Sequence, residues 1–228
     1  QMCWEAMTHC GKDVDAFVAV SQWYADVMKK RMALPDDKVH VVHLGIKTPE
    51  ANGGSLSFDP PVIGYLSKMT DSLGLGKLID AFIHLKQHPR LGDLKLRATG
   101  GQVGGDVMYV KWLKKKLAKH NMEHDVEFLD DFDAEKRLKF IQSISVMSVP
   151  AEEGEAFGLF IIESLASGVP VVQPAAGAFP EVVNATGGGL LYAPADSDGL
   201  TRTLEALLLD KDKAQALGEA GRSAVQEH

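Results

Sequence analysis

The chain has 228 residues, 45% of them hydrophobic and 24% charged, which gives length for a substantial core in one domain or two and an ordinary globular composition. A net charge of −7 argues against a nucleic-acid partner, which wants a basic face, and no apolar run approaches the ~18 residues of a membrane span. With no signal-peptide pattern at the start, the expected location is cytoplasmic.

The first residues, 1–12, read as the tail of a helix closed by Gly11, and Gln1 in place of a Met reads as a processed or cut end. Cys3 and Cys10, the only cysteines, would share a face of that helix; with His9 they make a poor metal site and read as free, half-buried thiols. Val14 to Val20 reads as a buried strand. Ser21 is the expected cap of a helix from Gln22 to Leu34 that Pro35 ends, and Val39 to Leu44 is another strand, turned by Gly45. Residues 49–60, rich in Gly, Ser and Pro, read as a linker and hinge.

From Pro61 onward the pattern alternates strand and helix. Pro61 to Ser67 is a predicted strand, Lys77 to Gln87 a helix with Leu78, Ala81, Phe82 and Leu85 on one face, and Leu94 to Ala98 a strand. Gly100, Gly101, Gly104 and Gly105 do not make a dinucleotide fingerprint. Asp106 to His120 is a predicted basic helix; its lysines, beside Trp112, Leu113 and Leu117, admit either a solvated outer helix or a membrane-surface one. Val126 to Leu129 is a strand. Asp131-Phe132-Asp133 has the look of a metal-binding Asp-x-Asp, but Asp133 precedes a helical pattern, Ala134 to Gln142, and is read as its N-cap. Asp196 to Leu209 and Asp212 to Gln226 read as amphipathic helices. The alternation predicts an α/β fold, a Rossmann-like parallel sheet of about six strands with helices on both faces.

The richest stretch runs from Ile144 to Pro174. A buried strand ending in Pro150 leads through a polar loop, 151–155, to Gly158, which opens an apolar helix stopped by Gly168 and Pro170; Val169 to Gln173 is the next strand. Free N–H groups and the dipole at such a helix start favour phosphate, and Gly158 lets a ligand approach the backbone. Glu155 precedes the helix and Glu163 lies within it, about 12 Å further along if both were helical. Carboxylates accept paired hydrogen bonds from vicinal hydroxyls, although two solvated glutamates on a helix edge would satisfy the same spacing.

The run EAFGLFIIESLASGVPVV, followed by GAFPEVV and GGGLLY, resembles the glycosyltransferase family 4 (group 1) enzymes from about Val14 to Leu209. The resemblance implies the GT-B architecture of two facing Rossmann-like domains and retaining sugar transfer from a nucleotide-diphosphate-sugar. Residues 1–48 would be the incomplete end of an N-terminal acceptor-side domain and 61–228 the donor-binding domain. Glu155 would contact the donor sugar and Glu163 the ribose, while backbone groups of Ala156, Phe157, Gly158 and Leu159 cradle sugar and diphosphate. Gly177 would serve a tight backbone near the donor, beside Pro180 and Glu181, and Phe128 and Asp130 would lie near the base. Lys68 takes the position of the family's arginine, but Leu73 stands where a lysine is usual, with Lys77 the nearest substitute. No cofactor or metal is implied. The expected partners are a nucleotide-sugar donor and a sugar, lipid or other small acceptor, with peripheral contact at the inner membrane face left open and the isolated chain inactive in transfer. A non-catalytic nucleotide-sugar-binding module, or a nucleotide-sugar epimerase of GT-B architecture, is the alternative.

Overall fold

The computed structural model describes residues 2–47, 56–129 and 133–227. Most of the proposed linker, with Asp130, Asp131 and Phe132, lies outside the described residues.

Two parallel sheets organise the chain. The smaller pairs β1 (Phe17–Ala19) with β2 (Val39–Val41), and α2 (Gln22–Met32) packs on both, following α1 (Met2–Cys10). Its core is small: Ala19, Ala25, Met28 and Val39. The larger sheet contains β3 (Val62–Leu66), β4 (Lys95–Thr99), β5 (Val126–Leu129), β6 (Val146–Met147), β7 (Val171–Pro174) and β8 (Gly189–Tyr192). Their order, β5-β4-β3-β6-β7-β8, is that of a Rossmann sheet, reversing direction of growth between β3 and β6. All pairings are parallel, so every crossover carries helix: α3 (Leu75–Leu85), α4 (Asp106–Lys119), α5 (Ala134–Gln142), α6 (Leu159–Ala166) and α7 (Phe179–Thr186) connect the strands, and α8 (Gly199–Leu208) and α9 (Lys211–Glu227) follow. The central strands are apolar on both faces, with Ile63, Tyr65, Leu96, Ala98, Val146, Met147, Val171 and Val172 all buried, as a parallel sheet covered by helices requires.

The predicted α/β sheet of six parallel strands is the observed one. Several boundaries differ, each for a local reason. The buried run from Ile144 to Pro150 is strand only at Val146–Met147, and its flanks add side-chain bonds to the backbone ones: Ser145 Oγ accepts from Val62 N–H and Ser148 Oγ donates to the Val172 carbonyl. The strands read over Val14 to Val20 and Val39 to Leu44 shrink to three residues each, and among the described residues each pairs with the other alone. Pro180 and Glu181 lie in helix α7; Pro180 sits in its first turn, where no N–H is needed, and Gly187 closes it in a left-handed conformation. Both thiols, expected half-buried, are exposed. Ser21 caps α2 by accepting from Tyr24 N–H, and Asp133 caps α5 by accepting from Lys136 N–H, both as the sequence indicated.

Candidate active site

In an open parallel sheet the crevice beyond the strands' carboxyl ends, at the reversal of strand order, is where ligands bind. Here the turn after β3 and the loop after β6 border that crevice, so Lys68 and residues 151–158 come from its two sides.

The β6–α6 loop is fixed by its own backbone and that of the β7–α7 turn. Ala178 N–H donates to the Glu155 carbonyl at 3.0 Å, closing one loop on the other. Gly177, at φ +58°, lies so close that a Cβ there would stand 2.6 Å from the Glu155 nitrogen and 2.7 Å from its oxygen. The next carbonyl, Ala156, accepts from Ser21 Oγ at 2.6 Å. Both peptide groups following the Glu155 and Ala156 α-carbons are therefore held, one from within the large sheet's lobe and one from α2. Phe157 is buried against the His43 ring, with centroids 6.0 Å apart. Gly158 turns the chain at φ +86° into α6, a conformation that L side chains resist, and Leu159 begins the helix. No side chain caps α6, so the N–H groups of Leu159 and Phe160 have no side-chain acceptor among the described residues.

Glu155 presents a half-buried carboxylate with no hydrogen bond or ion pair among the described residues. Burial raises its pKa above the usual carboxylate range. Burial, followed by the charges of Tyr109, Glu155 and Asp106, also pushes the Tyr65 phenol up. Glu163 differs. It lies in the second turn of α6 and is ion-paired with Arg137 of α5, both side chains about one-fifth exposed. Burial raises the Glu163 pKa, and the Arg137 charge opposes that rise without cancelling it. Glu155 lies in the loop before α6 and Glu163 within the helix, as the sequence indicated, so the ~12 Å figure for two helical positions does not apply.

The cations on the other side already have partners. Lys68 Nζ stands 3.2 Å from Asp106 Oδ2 at the start of α4, with its side chain half exposed. The Tyr65 hydroxyl donates to the Lys68 carbonyl at 2.8 Å, anchoring the turn. Lys77 is ion-paired with Glu152 and lines a groove of about 690 Å³ with Asp80, Asp196 and Arg202, on the β8 side of the loop. Leu73 is half-buried against the core, and Gly74 abuts the Pro150 carbonyl. Phe128 is half-buried with Lys114 Nζ 5.2 Å above its ring.

Glu181, in the first turn of α7, grips the start of α2. Its carboxylate accepts from Gln22 N–H at 2.9 Å and Trp23 N–H at 3.1 Å, and lies 3.1 Å from His43 Nε2. Burial raises its pKa, but those bonds outweigh burial and hold it below the usual range. Glu181, expected beside the donor, links α7 of the larger lobe to the start of α2 in the smaller one. Two further polar groups escaped the sequence. Arg137 lies 26 residues from its partner Glu163, beyond any local pattern. Gln173, fully buried in β7, accepts from Val149 N–H at 3.3 Å while its Nε2 has no partner among the described residues.

These features can be set beside known proteins. The profile of the family "Glycosyl transferases group 1" matches residues 50–224. The chain is 27% identical over 224 residues to an MMP alpha-(1->4)-mannosyltransferase of Mycolicibacterium hassiacum, covering 98% of this chain and 52% of that protein. The chain thus spans about half the length of the curated relatives it matches. Sucrose-phosphate synthase from Thermosynechococcus elongatus superposes with a TM-score of 0.83 at 23% identity, over 99% of this chain and 57% of that one. Anabaena HepE, solved in complex with UDP-glucose, superposes with a TM-score of 0.84 at 20% identity, over 99% and 63%. The neighbours share the GT-B fold, and the family profile covers the six-stranded lobe with both glutamates and the loop that holds them. The chain belongs to the group 1 glycosyl transferases.

Proposed function

We propose that this chain is the donor-binding part of a retaining glycosyltransferase of family 4 that moves a sugar from a nucleotide-diphosphate-sugar to a sugar, lipid or other small acceptor. The observation that carries it is the fixed loop between β6 and α6, which holds an unpartnered, half-buried Glu155 beside the donor N–H groups of α6. The diphosphate lies against those N–H groups and Lys68. Glu155 faces the sugar, and Glu163 holds the ribose hydroxyls. In transfer the bond from the anomeric carbon to the diphosphate oxygen breaks and its electron pair stays on the leaving group. Fixed dipoles stabilise that charge without reorganising, and Glu155 faces the positive character left on the sugar. Lys68 is half exposed at the mouth of the crevice, within reach of a diphosphate after exchange from Asp106.

On this reading residues 1–48 belong to a facing acceptor-side lobe, 49–60 are the hinge and 61–228 the donor lobe. The isolated chain binds donor and transfers nothing. Charge neutralisation by N–H groups and Lys68 makes a divalent metal unnecessary, and the reaction is assigned to the cytoplasm. Titration of the chain with UDP, GDP and ADP and their sugars tests the reading. Saturable binding of one nucleotide series, unchanged by chelator, is expected; no binding of any series overturns it.

A further inference from the structure

Among the described residues of the lobe built on the six-stranded sheet, the large hydrophobic side chains that stand exposed gather in one place. Val103 is 65% exposed, Val107 39%, Met108 68% and Trp112 54%, all within the loop before α4 and its first two turns. The other exposed large hydrophobics, from Met7 to Leu44, lie on the smaller lobe.

The helix is two-sided by spacing. Asp106, Val110, Leu113 and Leu117 are buried against the sheet. Met108, Trp112, Lys115 and Lys119, at the same helical period, form the opposite, outermost stripe, with Lys111 beside it. Between Val103 and Lys119 the sequence carries five lysines and one acidic residue, in a chain of net charge −7. The acidic residue, Asp106, is paired inward with Lys68, and Lys116 is paired with Asp80. Tyr109 stacks on Trp112 with centroids 6.0 Å apart, and Lys116 Nζ lies 5.3 Å above the Trp112 ring, so the indole is held outward by its neighbours.

We infer that this face of α4 docks on an anionic phospholipid surface. The exposed Val103, Val107, Met108 and Trp112 supply the apolar part that can enter the headgroup boundary, and the lysines supply charge complementary to anionic lipid. Lysines flank it with long stems that can lie over the boundary while their charges meet lipid phosphates. Because α4 begins at Asp106, beside Lys68, docking would bring the carboxyl edge of the sheet close to the membrane. The inference does not depend on the donor reading.

Co-sedimentation of the chain with vesicles of phosphatidylcholine containing 30% phosphatidylglycerol, against pure phosphatidylcholine, tests it. Binding to the anionic vesicles alone is expected, falling at least tenfold in 0.5 M NaCl. Lys111→Glu/Lys115→Glu/Lys119→Glu should lower partitioning about a hundredfold. Met108→Ser/Trp112→Ala should lower it about tenfold. Both variants should keep the parent's thermal midpoint, since none of these side chains is buried. Absence of vesicle binding overturns the inference, as does equal binding to both vesicles or binding that these substitutions leave unchanged. A dimer in solution that Trp112→Ala dissociates, without vesicle binding, assigns the face to a second copy and also overturns it.

Discussion

Glu155 and Glu163 lie eight residues apart, and the loop and helix that carry them are stabilised in opposite ways. The loop at Glu155 is fixed through backbone: the Ala178 N–H, the Ser21 hydroxyl and a glycine with no room for a Cβ, while the carboxylate itself is left unpaired. The α6 helix at Glu163 is held by apolar packing of Phe160, Ile161 and Leu165, and its carboxylate is paired with Arg137. A fixed backbone around a carboxylate that has no partner among the described residues is the geometry expected of a group preorganised for a ligand. A paired carboxylate must exchange its partner or share it when a ligand arrives.

The largest test of this contrast is Gly177→Ala. Left-handed backbone costs a β-carbon residue about 1–2 kcal/mol and overpacking about 1–3 more. Denaturant unfolding should show a loss of about 2–5 kcal/mol. Nucleotide-sugar affinity should fall toward that of the free nucleotide, because only the Glu155 side is displaced. Equal losses for sugar-bearing and free nucleotide would mean that loop and helix act as one unit.

Glu163→Gln comes next. Ribose contacts are alike in ground and transition states, so the change should weaken free nucleotide and nucleotide-sugar together, by about 1–3 kcal/mol in calorimetric titration. Arg137→Met should raise the Glu163 pKa further, since burial then acts unopposed. An unchanged affinity in Glu163→Gln for every nucleotide that binds the parent would remove the ribose assignment.

Glu181→Gln tests whether the loop also leans on α2. Charge-assisted bonds to two helix-start N–H groups should be worth about 1–2 kcal/mol at neutral pH. The sign with pH follows from a depressed folded value. The stabilisation is present above the ordinary glutamate range near ~4.3 and is lost as pH falls through the lower folded value. Acid unfolding of the Gln variant should therefore start from lower stability and show a shallower decline than the parent.

Glu155→Gln should do least to binding of free nucleotide, under about 0.5 kcal/mol, while lowering turnover in a protein with a complete facing lobe. Its raised pKa has the opposite sign to that of Glu181. The folded chain holds the proton to higher pH, so stability declines as pH rises from the ordinary glutamate range through the raised value, and is level above it. Sugar hydroxyls favour the ionised form, so nucleotide-sugar affinity should rise across that window and proton release should accompany binding. A pH-independent affinity that matches the Gln variant would show that Glu155 does not touch the sugar.

Much of this was already legible along the chain. Strand-helix alternation with apolar strands demands a parallel sheet covered on both faces. Ser21 and Asp133 announced helix starts through local side-chain chemistry, and the glycine before α6 announced a turn that admits few other residues. The run from Glu155 to Pro174 carried the family because its helix, turn and strand are consecutive. The tertiary structure alone decided the pairings between distant residues. Arg137 meets Glu163 because α5 and α6 flank neighbouring parts of one sheet, and Glu181 meets Gln22 across 159 residues because the two lobes abut. Hydrogen bonds and ion pairs act over a few ångströms of space, and local periodicity records only which face a residue takes. It does not record which distant charge that face will meet, and this is why a ribose contact could be expected of Glu163 before its own partner was visible.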